Sequence, residues 1–486
     1  MMTQIDYRKK VLGAWLGKAV GGTLGQPWEG CDGPLSLSFY DPVPEGMMPN
    51  DDLDLQVVWA CRLAGDWKGV VSYRNFSDAW LNNIGFACDE YGVVIRNLKL
   101  GIPAPYTGRY DNWFVDGLGG AIRSEIWAVL APGNPERAAK LAGIDASLDH
   151  YGNGVFAEQF LAAVESKAFV ENDINKLIEC GLSMIPADSL LHHAISQTAF
   201  WCKEGMTFAA IRSNIMKHFG SSNFTDVKMN LSFLTAALLL GNGDFEKTIC
   251  TAVNFGQDAD CTGASAGAIM GILNPDSIPE RWLSPIGEEL MLNEGIVNIS
   301  PPGTLTEFSD LVISLKDKIQ IAAEDVPEPD FSCYKIPFKK SVYHPWFARD
   351  FRKFKPELSA ETTTFSAPGN LFTVDFAELL PESLLMLQTE FVLAKEQVVK
   401  VLVNTPANMR VWVDGEFCFG RECGAMVPAF HRALLNQMKT VTLNSGRHTL
   451  LIGLAPANPD MKQVELFFGI ADEADHWLPG IFYERK

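Results

Sequence analysis

The chain has 486 residues, 47% apolar and 20% charged, a globular composition that excludes a disordered chain and is too long for one ordinary core, so two domains are expected. A formal net charge of −19 sets the surface against phosphate backbones and argues against nucleic acid as a partner. No run reaches the roughly 20 consecutive apolar residues a membrane span requires; the longest, 231–240, ends at Gly241.

The first segment carries basic residues and then a weakly apolar run that Lys18 and several glycines break, with no small-residue cleavage site after it. A secretory signal is therefore not expected, and a cytoplasmic location is. The ten cysteines are Cys31, Cys61, Cys88, Cys180, Cys202, Cys250, Cys261, Cys333, Cys418 and Cys423. They form no C-x-x-C pair and no zinc spacing, so buried reduced thiols are expected.

Within residues 12–30, Gly13, Gly17, Gly21 and Gly25 recur every four positions. On a helix they form one smooth stripe along which another helix can approach closely. Glu29 follows Pro27 and Trp28 where the helix should end, so its carboxylate can face a cleft. Next come Asn50, Asp51 and Asp52. Asn50 suits an N-cap, and acids in the first turn suit the helix dipole. The same adjacent carboxylates also offer oxygen ligands to a hard cation.

Apolar residues at helical spacing over 53–64, 135–142, 157–164 and 231–240 predict helices, and no strand alternation interrupts them up to about residue 325. Asp258 and Asp260 then stand, spaced D-x-D, at the mouth of a run of small and apolar residues. Ionised carboxylates leaving water cost several kcal/mol each unless paired. Few lysines or arginines lie nearby in sequence, so a metal ion is the economical partner, with a distant cation as the alternative.

Residues 326–345 are rich in proline and polar residues and read as a linker between domains at 1–325 and 346–486. Beyond it the period becomes two, with strands predicted at 391–394, 398–404, 409–413, 441–443, 449–454 and 464–469. Asp414-Gly415 predicts a hairpin turn and 444–446 a second turn. Short strands at this spacing predict a β-sandwich. Trp412 is a candidate for stacking on a sugar, although a tryptophan on a strand is more often a core residue.

Together these stretches resemble the ADP-ribosylglycohydrolases, including the dinitrogenase-reductase-activating glycohydrolase, over residues 8–320. Residues 12–29 match the opening glycine motif and its glutamate. Asn50-Asp51-Asp52 stands where the family has Thr-Asp-Asp. Residues 117–123 resemble its glycine-rich loop, and His150 the histidine that follows. Residues 256–261 resemble its late G-G-D-x-D-T motif. The resemblance implies an all-α N-terminal fold holding Mg²⁺, as two ions or one. Asp51, Asp52, Asp258, Asp260 and Asn50 would be ligands, and Glu29 or Asp116 the catalytic carboxylate. Gly117, Gly119, Gly120, Arg123, His150 and Gly256 would meet the substrate, an ADP-ribosyl or related ribosylated compound. Arg123 is equally suited to a structural salt bridge, and His150 to a cap or core position.

The sequence departs from the family at Asn50 and Cys261, which replace threonines, at Gln257, which replaces glycine, and at Lys18, where the family often has aspartate. The C-terminal half resembles jelly-roll-like, carbohydrate-binding modules in pattern, so a carbohydrate partner is expected there. Two alternatives follow: a catalytically silent binding protein for ADP-ribose or a nucleotide sugar, and a glycan-directed glycosidase.

Overall fold

The computed structural model describes residues 3–343, 358, 361–377, 379 and 383–483. The chain divides into two compact units, one of residues 1–85 and 114–326, the other of 86–113 and 327–486.

The first unit is helical. Its helices are α1 (Gln4–Gly25), α2 (Asp51–Ala64) and α3 (Tyr73–Asn83); the chain then contributes α4 (Asp89–Lys99) to the other unit. It returns for α5 (Glu125–Leu130), α6 (Pro135–Ala146), α7 (Asn153–Ala168), α8 (Ile174–Leu182), α9 (Leu190–Lys203) and α10 (Phe208–Phe219). It ends with α11 (Val227–Gly241), α12 (Phe245–Asn254), α13 (Ala259–Leu273), α14 (Glu280–Leu283) and α15 (Leu305–Leu315). The four predicted helices fall inside α2, α6, α7 and α11. One small parallel pairing, β1 (Val70–Val71) with β2 (Gln320–Ile321), departs from the all-helical expectation. No helix among the described residues is long and apolar enough to cross a membrane.

Helix α1 starts at a capping box, where the Thr3 hydroxyl accepts from the Asp6 N–H and the Asp6 carboxylate reaches back to Thr3. Helix α13 is small or apolar on every face, and every residue from Ala259 to Ile272 is buried, as such a pattern demands. The glycine stripe of α1 lies against it in antiparallel register. A β-carbon on Gly13 would stand 2.5 Å from the Gly271 carbonyl oxygen, one on Gly21 1.9 Å from that of Gly263, and one on Gly25 2.3 Å from that of Ala259. Only glycine permits this approach, and the spacing of four on both helices keeps it in step for three turns. The register brings the C-terminal end of α1 to the N-terminal end of α13.

The second unit holds α4 and two antiparallel sheets. In chain order its strands are β3 (Ile336–Tyr343), β4 (Thr363–Ala367), β5 (Leu371–Asp375), β6 (Leu384–Leu393), β7 (Gln397–Asn404), β8 (Asn408–Val413), β9 (Glu416–Arg421), β10 (Met438–Leu443), β11 (Gly446–Ala455) and β12 (Gln463–Ala471). One sheet has the order β10-β7-β12-β5, the other β4-β3-β6-β11-β8-β9. Phe372, Val399, Val401 and Leu466 of the first share a buried core with Ile336, Phe338, Leu385, Val411 and Leu450 of the second, which makes the unit a sandwich.

Strand β3 lies inside the 326–345 stretch read as a linker, so ladder pairing with β4 and β6 begins there. Strand β6 begins at Leu384, earlier than the predicted 391. Leu385 and Leu387 face the inter-sheet core while Leu384 and Met386 enter a second cluster, so both faces are covered and the alternation is lost. Asp414 and Gly415 form the β8–β9 hairpin turn, with φ of +51° and +80°. The turn at 444–446 joins strands of different sheets and is not a hairpin. Trp412 is fully buried with Leu384, Met386 and Leu451, which makes it a core residue and withdraws it as a sugar-stacking platform.

Within this unit Arg96 of α4 lies over the Trp477 ring at 4.5 Å and pairs with Asp111 at 3.1 Å. The Asp111 carboxylate in turn accepts from the backbone N–H groups of Asn370 and Leu371. The segment 86–113 is thus tied to the sandwich by buried charge, although its sequence reads as one more helical stretch.

Candidate metal centre

The carboxylates gather where α1 ends and α13 begins. Asn50 caps α2, its side-chain oxygen accepting from the Asp52 N–H at 2.8 Å. This fixes Asp51 and Asp52 on the first turn. Gly22 faces the Asn50 amide, with room for no β-carbon. At the start of α13, Gly256 and Gln257 both have positive φ, +78° and +65°. The Gln257 N–H donates to the Cys31 carbonyl at 2.6 Å, and the Gly30 N–H donates to the Gln257 carbonyl at 2.8 Å. A side chain at Gly256 would strike the backbone of Cys31 and Gly33. The role visible for Gly256 is therefore to let the 30–33 loop dock, which carries Glu29 to the mouth of α13.

Asp258 occupies the N-cap position of α13, yet its carboxylate makes no capping bond to the helix. It is turned instead toward Asp260, Cys261, Glu29 and Asp52. One oxygen each of Asp52 and Asp260 and the Sγ of Cys261 lie within 4.8 Å of one another. Apart from the thiol of Cys261, neither oxygen of the fully buried Asp52 meets a donor among the described residues. Oδ1 of Asp258 and of Asp260 are likewise buried and meet no nitrogen or oxygen donor among the described residues.

Such oxygens resist ionisation. Burial and the neighbouring Asp52 push the Asp51 carboxyl up to about 6. Burial pushes Asp52 up to about 6 against the pull of Lys18. Burial raises Asp258 further, and burial with Asp258, Glu29, Asp52 and Asp51 raises Asp260. The Cys261 thiol is held high by burial and the same carboxylates. A group of buried acids that repel one another, with oxygens that no nitrogen or oxygen donor among the described residues meets, is a site that a cation would relieve.

Behind the cluster lies a buried frame. Lys18 is fully buried on α1, pairs with Glu125 at 2.8 Å and donates to the Ile122 carbonyl at 2.8 Å. Burial opposes its charge, but Glu125 and Asp52 prevail and hold the ammonium above its ordinary value. Gln56 bridges the frame to α2, donating to the Asp52 carbonyl and to Glu125. Asp54, pushed up to about 7 by burial, accepts from the Asn293 backbone and side chain. Asn230 of α11 accepts from the Asp258 N–H at 3.4 Å. Sequence reasoning missed Glu125, Gln56 and Asn230. Lys18 carried a usable signal, being a lysine inside a stripe of glycines.

The remaining candidates fall elsewhere. Asp116 pairs with Lys228, which also holds Asp226 at 3.1 Å, and accepts weakly from Asn153. Arg123 is 1% exposed and engaged mainly by carboxylates. It meets Asp145 at 3.0 Å and Asp149 through two parallel bonds of 2.7 and 2.8 Å, and it also donates to the Gly119 carbonyl. All three guanidinium nitrogens are thus engaged, as in the salt-bridge alternative for Arg123. His150 is buried beside Asp149 at 3.0 Å and under Gly120, where a β-carbon would stand 3.2 Å from its ring. Gly117 and Gly119 lie in the loop before residues 121–123, a single 3-10 turn. Glu29 is exposed at the end of a 3-10 turn and bears electrostatically on Asp52, Asp258 and Asp260.

A helical unit with one short strand pair, whose acids converge where two glycine-lined helices meet, defines a helical protein with a candidate divalent-cation centre. The ADP-ribosylglycohydrolase family model matches residues 3–314, and the chain belongs to that family, a family of glycosyl-hydrolase-type enzymes. A solved "ADP-ribosylglycohydrolase-related protein complex" is 21% identical, covering 65% of this chain and 100% of that one, with a TM-score of 0.45. A β-glucosidase from Kluyveromyces marxianus with glucose is 12% identical over 29% of this chain and 17% of its own, at a TM-score of 0.21. A GH31 α-xylosidase from Xanthomonas citri is 11% identical over 30% and 14%, at 0.17. Among curated proteins none matches.

Proposed function

We propose that the protein is a divalent-cation-dependent hydrolase that cleaves the bond at the anomeric carbon of ribose in an ADP-ribosyl or related ribosylated compound. The observation that carries this reading is the set of buried carboxylate oxygens of Asp52, Asp258 and Asp260 that meet no nitrogen or oxygen donor among the described residues, one each of Asp52 and Asp260 lying within 4.8 Å of the other and of the Cys261 Sγ. Buried charges need compensation, and oxygen donors suit a hard cation such as Mg²⁺. Asp51, Asp52, Asp258 and Asp260 would hold one ion or two. Asn50 has only its second lone pair to offer, the first being engaged in the cap. When bound, the cation supplies Lewis acidity toward ribose hydroxyls and water.

The protein's own residues provide the rest. Glu29 stands exposed at the mouth and is suited to deprotonate a water or to stabilise an oxocarbenium-like transition state. Asp116 is the lesser candidate, because its carboxylate is already paired with Lys228. The loop carrying Gly117, Gly119 and Gly120 would approach ribose and diphosphate through its backbone. A carbohydrate partner of the sandwich remains a separate proposal, now without Trp412.

Turnover of a panel of ADP-ribosylated and simple ribosyl compounds tests the reading. Release of ADP-ribose or ribose is expected, abolished by EDTA and in Asp258→Asn and Asp260→Asn. Absence of turnover by a protein that binds the cation and ligand would favour the silent binding protein instead.

A further inference from the structure

We propose that Cys261 is itself a ligand of this centre, and that its thiolate shifts the preferred cation from magnesium to a borderline transition ion of the zinc class. The proposal rests on the metal-centre reading above and concerns which ion that centre selects.

Three observations converge. The Sγ of Cys261 shares a 4.8 Å neighbourhood with oxygens of Asp52 and Asp260. Cys261 sits on the first turn of α13, three residues after Asp258, so its side chain and the Asp258 carboxylate open onto the same mouth. The Asp52 carboxylate of that neighbourhood is moreover fully buried and meets no nitrogen or oxygen donor among the described residues.

The neighbouring hydroxyl does not substitute for the thiol. Thr262 turns back along its helix and donates to the Asp258 carbonyl at 2.9 Å. The donor set facing the mouth is therefore mixed, carboxylate oxygens with one sulfur. Mg²⁺ demands hard oxygen ligands and keeps its waters, so a sulfur in its shell is a lost position. Zinc-class ions accept carboxylate and thiolate together. On binding, the S–H bond breaks, the S–metal bond forms from the sulfur electron pair, and the proton leaves to solvent. No electrons are transferred.

The test uses the full chain, stripped with EDTA and titrated with Mg²⁺, Zn²⁺ or Co²⁺ alone. With Co²⁺, wild type is expected to develop a near-ultraviolet thiolate-to-cobalt charge-transfer band that Cys261→Ser lacks. Calorimetry is expected to show the preference for Zn²⁺ over Mg²⁺ falling at least about tenfold in Cys261→Thr. X-ray absorption on wild type loaded with one equivalent of Zn²⁺ reads the same contact without any variant, as a sulfur at about 2.3 Å. Cobalt binding without the band, a band that survives in Cys261→Ser, a zinc shell without sulfur, or an unchanged preference in Cys261→Thr each overturns the thiolate ligand and leaves the oxygen-ligated centre standing. Failure of every cation to bind wild type overturns the metal centre itself.

Discussion

The backbones of Gly17 and Gly267 meet so closely that a β-carbon on Gly17 would stand 2.0 Å from the Gly267 carbonyl oxygen. This contact sets the register of α1 on α13, and that register decides that Glu29 and Asp258 emerge at the same end. Gly17→Ala forces the helices apart, and overpacking of this kind is expected to cost about 3 kcal/mol or more. Urea denaturation measures it. Gly303→Ala, whose β-carbon meets only the Glu307 carboxylate at 3.4 Å, is expected to stay within about 0.5 kcal/mol of wild type. Equal effects at the two positions would contradict the close-approach role.

Lys18 and Glu125 form an ion pair with both side chains fully buried. Removing one partner leaves the other as an uncompensated buried charge, so Lys18→Met is expected to lose about 3–5 kcal/mol. Adding Glu125→Gln should restore part of that loss. A double-mutant cycle by chemical denaturation is expected to show coupling of at least about 1 kcal/mol. Additive losses would mean the pair does not hold the frame.

Stability and cation binding should move in opposite directions at the acid cluster. In the cation-free protein the carboxyls of Asp52, Asp258 and Asp260 burden one another. Asp258→Asn is therefore expected to raise cation-free stability by on the order of 1 kcal/mol. It should also suppress the rise in Tm that a saturating cation produces. Thermal melts with EDTA and with added cation measure both effects. A variant that melts lower without cation would contradict burial and mutual repulsion as a burden on these carboxyls.

Asp149 gives a pH prediction of the opposite sense. Burial raises its carboxyl, but Arg123 and His150 overcome that and hold it at about 2. Its folded value lies below its unfolded one, so the unfolded chain binds the proton first as pH falls. The stabilisation is fully present above about pH 4 and is lost as pH falls through about 2, on the order of 2 kcal/mol in all. Asp149→Asn is expected to flatten this acid limb, read as the difference in unfolding free energy between neutral pH and pH 2.5. An unchanged limb would place the acid sensitivity elsewhere.

The legible parts of the sequence are those governed by local periodicity or by steric necessity. The glycines of α1 announced a close helix partner, and the matching small residues of α13 supplied it. Asp258 and Asp260 announced a need for compensation, because few cationic residues lie near them in sequence. Arg123 could not be resolved in the same way. Its partners Asp145 and Asp149 lie 22 and 26 residues on, and no local pattern distinguishes an arginine that meets a ligand from one that meets two buried aspartates. Strand β6 was seen only in its last part, since a strand covered on both faces carries no alternation. The hairpin at Asp414-Gly415 was legible from two residues because positive φ is a local demand. The turn at 444–446 reads alike locally, and only the partners of β10 and β11 reveal that it crosses between sheets.

The excursion of residues 86–113 makes the β-rich unit a thing of two pieces. A fragment ending before Pro327 would retain Arg96 and Asp111 but not Trp477, Asn370 or Leu371, leaving a buried salt bridge stripped of its surroundings. A fragment beginning at Pro327 would lack the helix that Trp477 and Arg432 meet. No single cut releases either half whole. Inheritance, expression and deletion of the two halves are therefore bound together by 28 residues of chain that belong by sequence to one and by structure to the other.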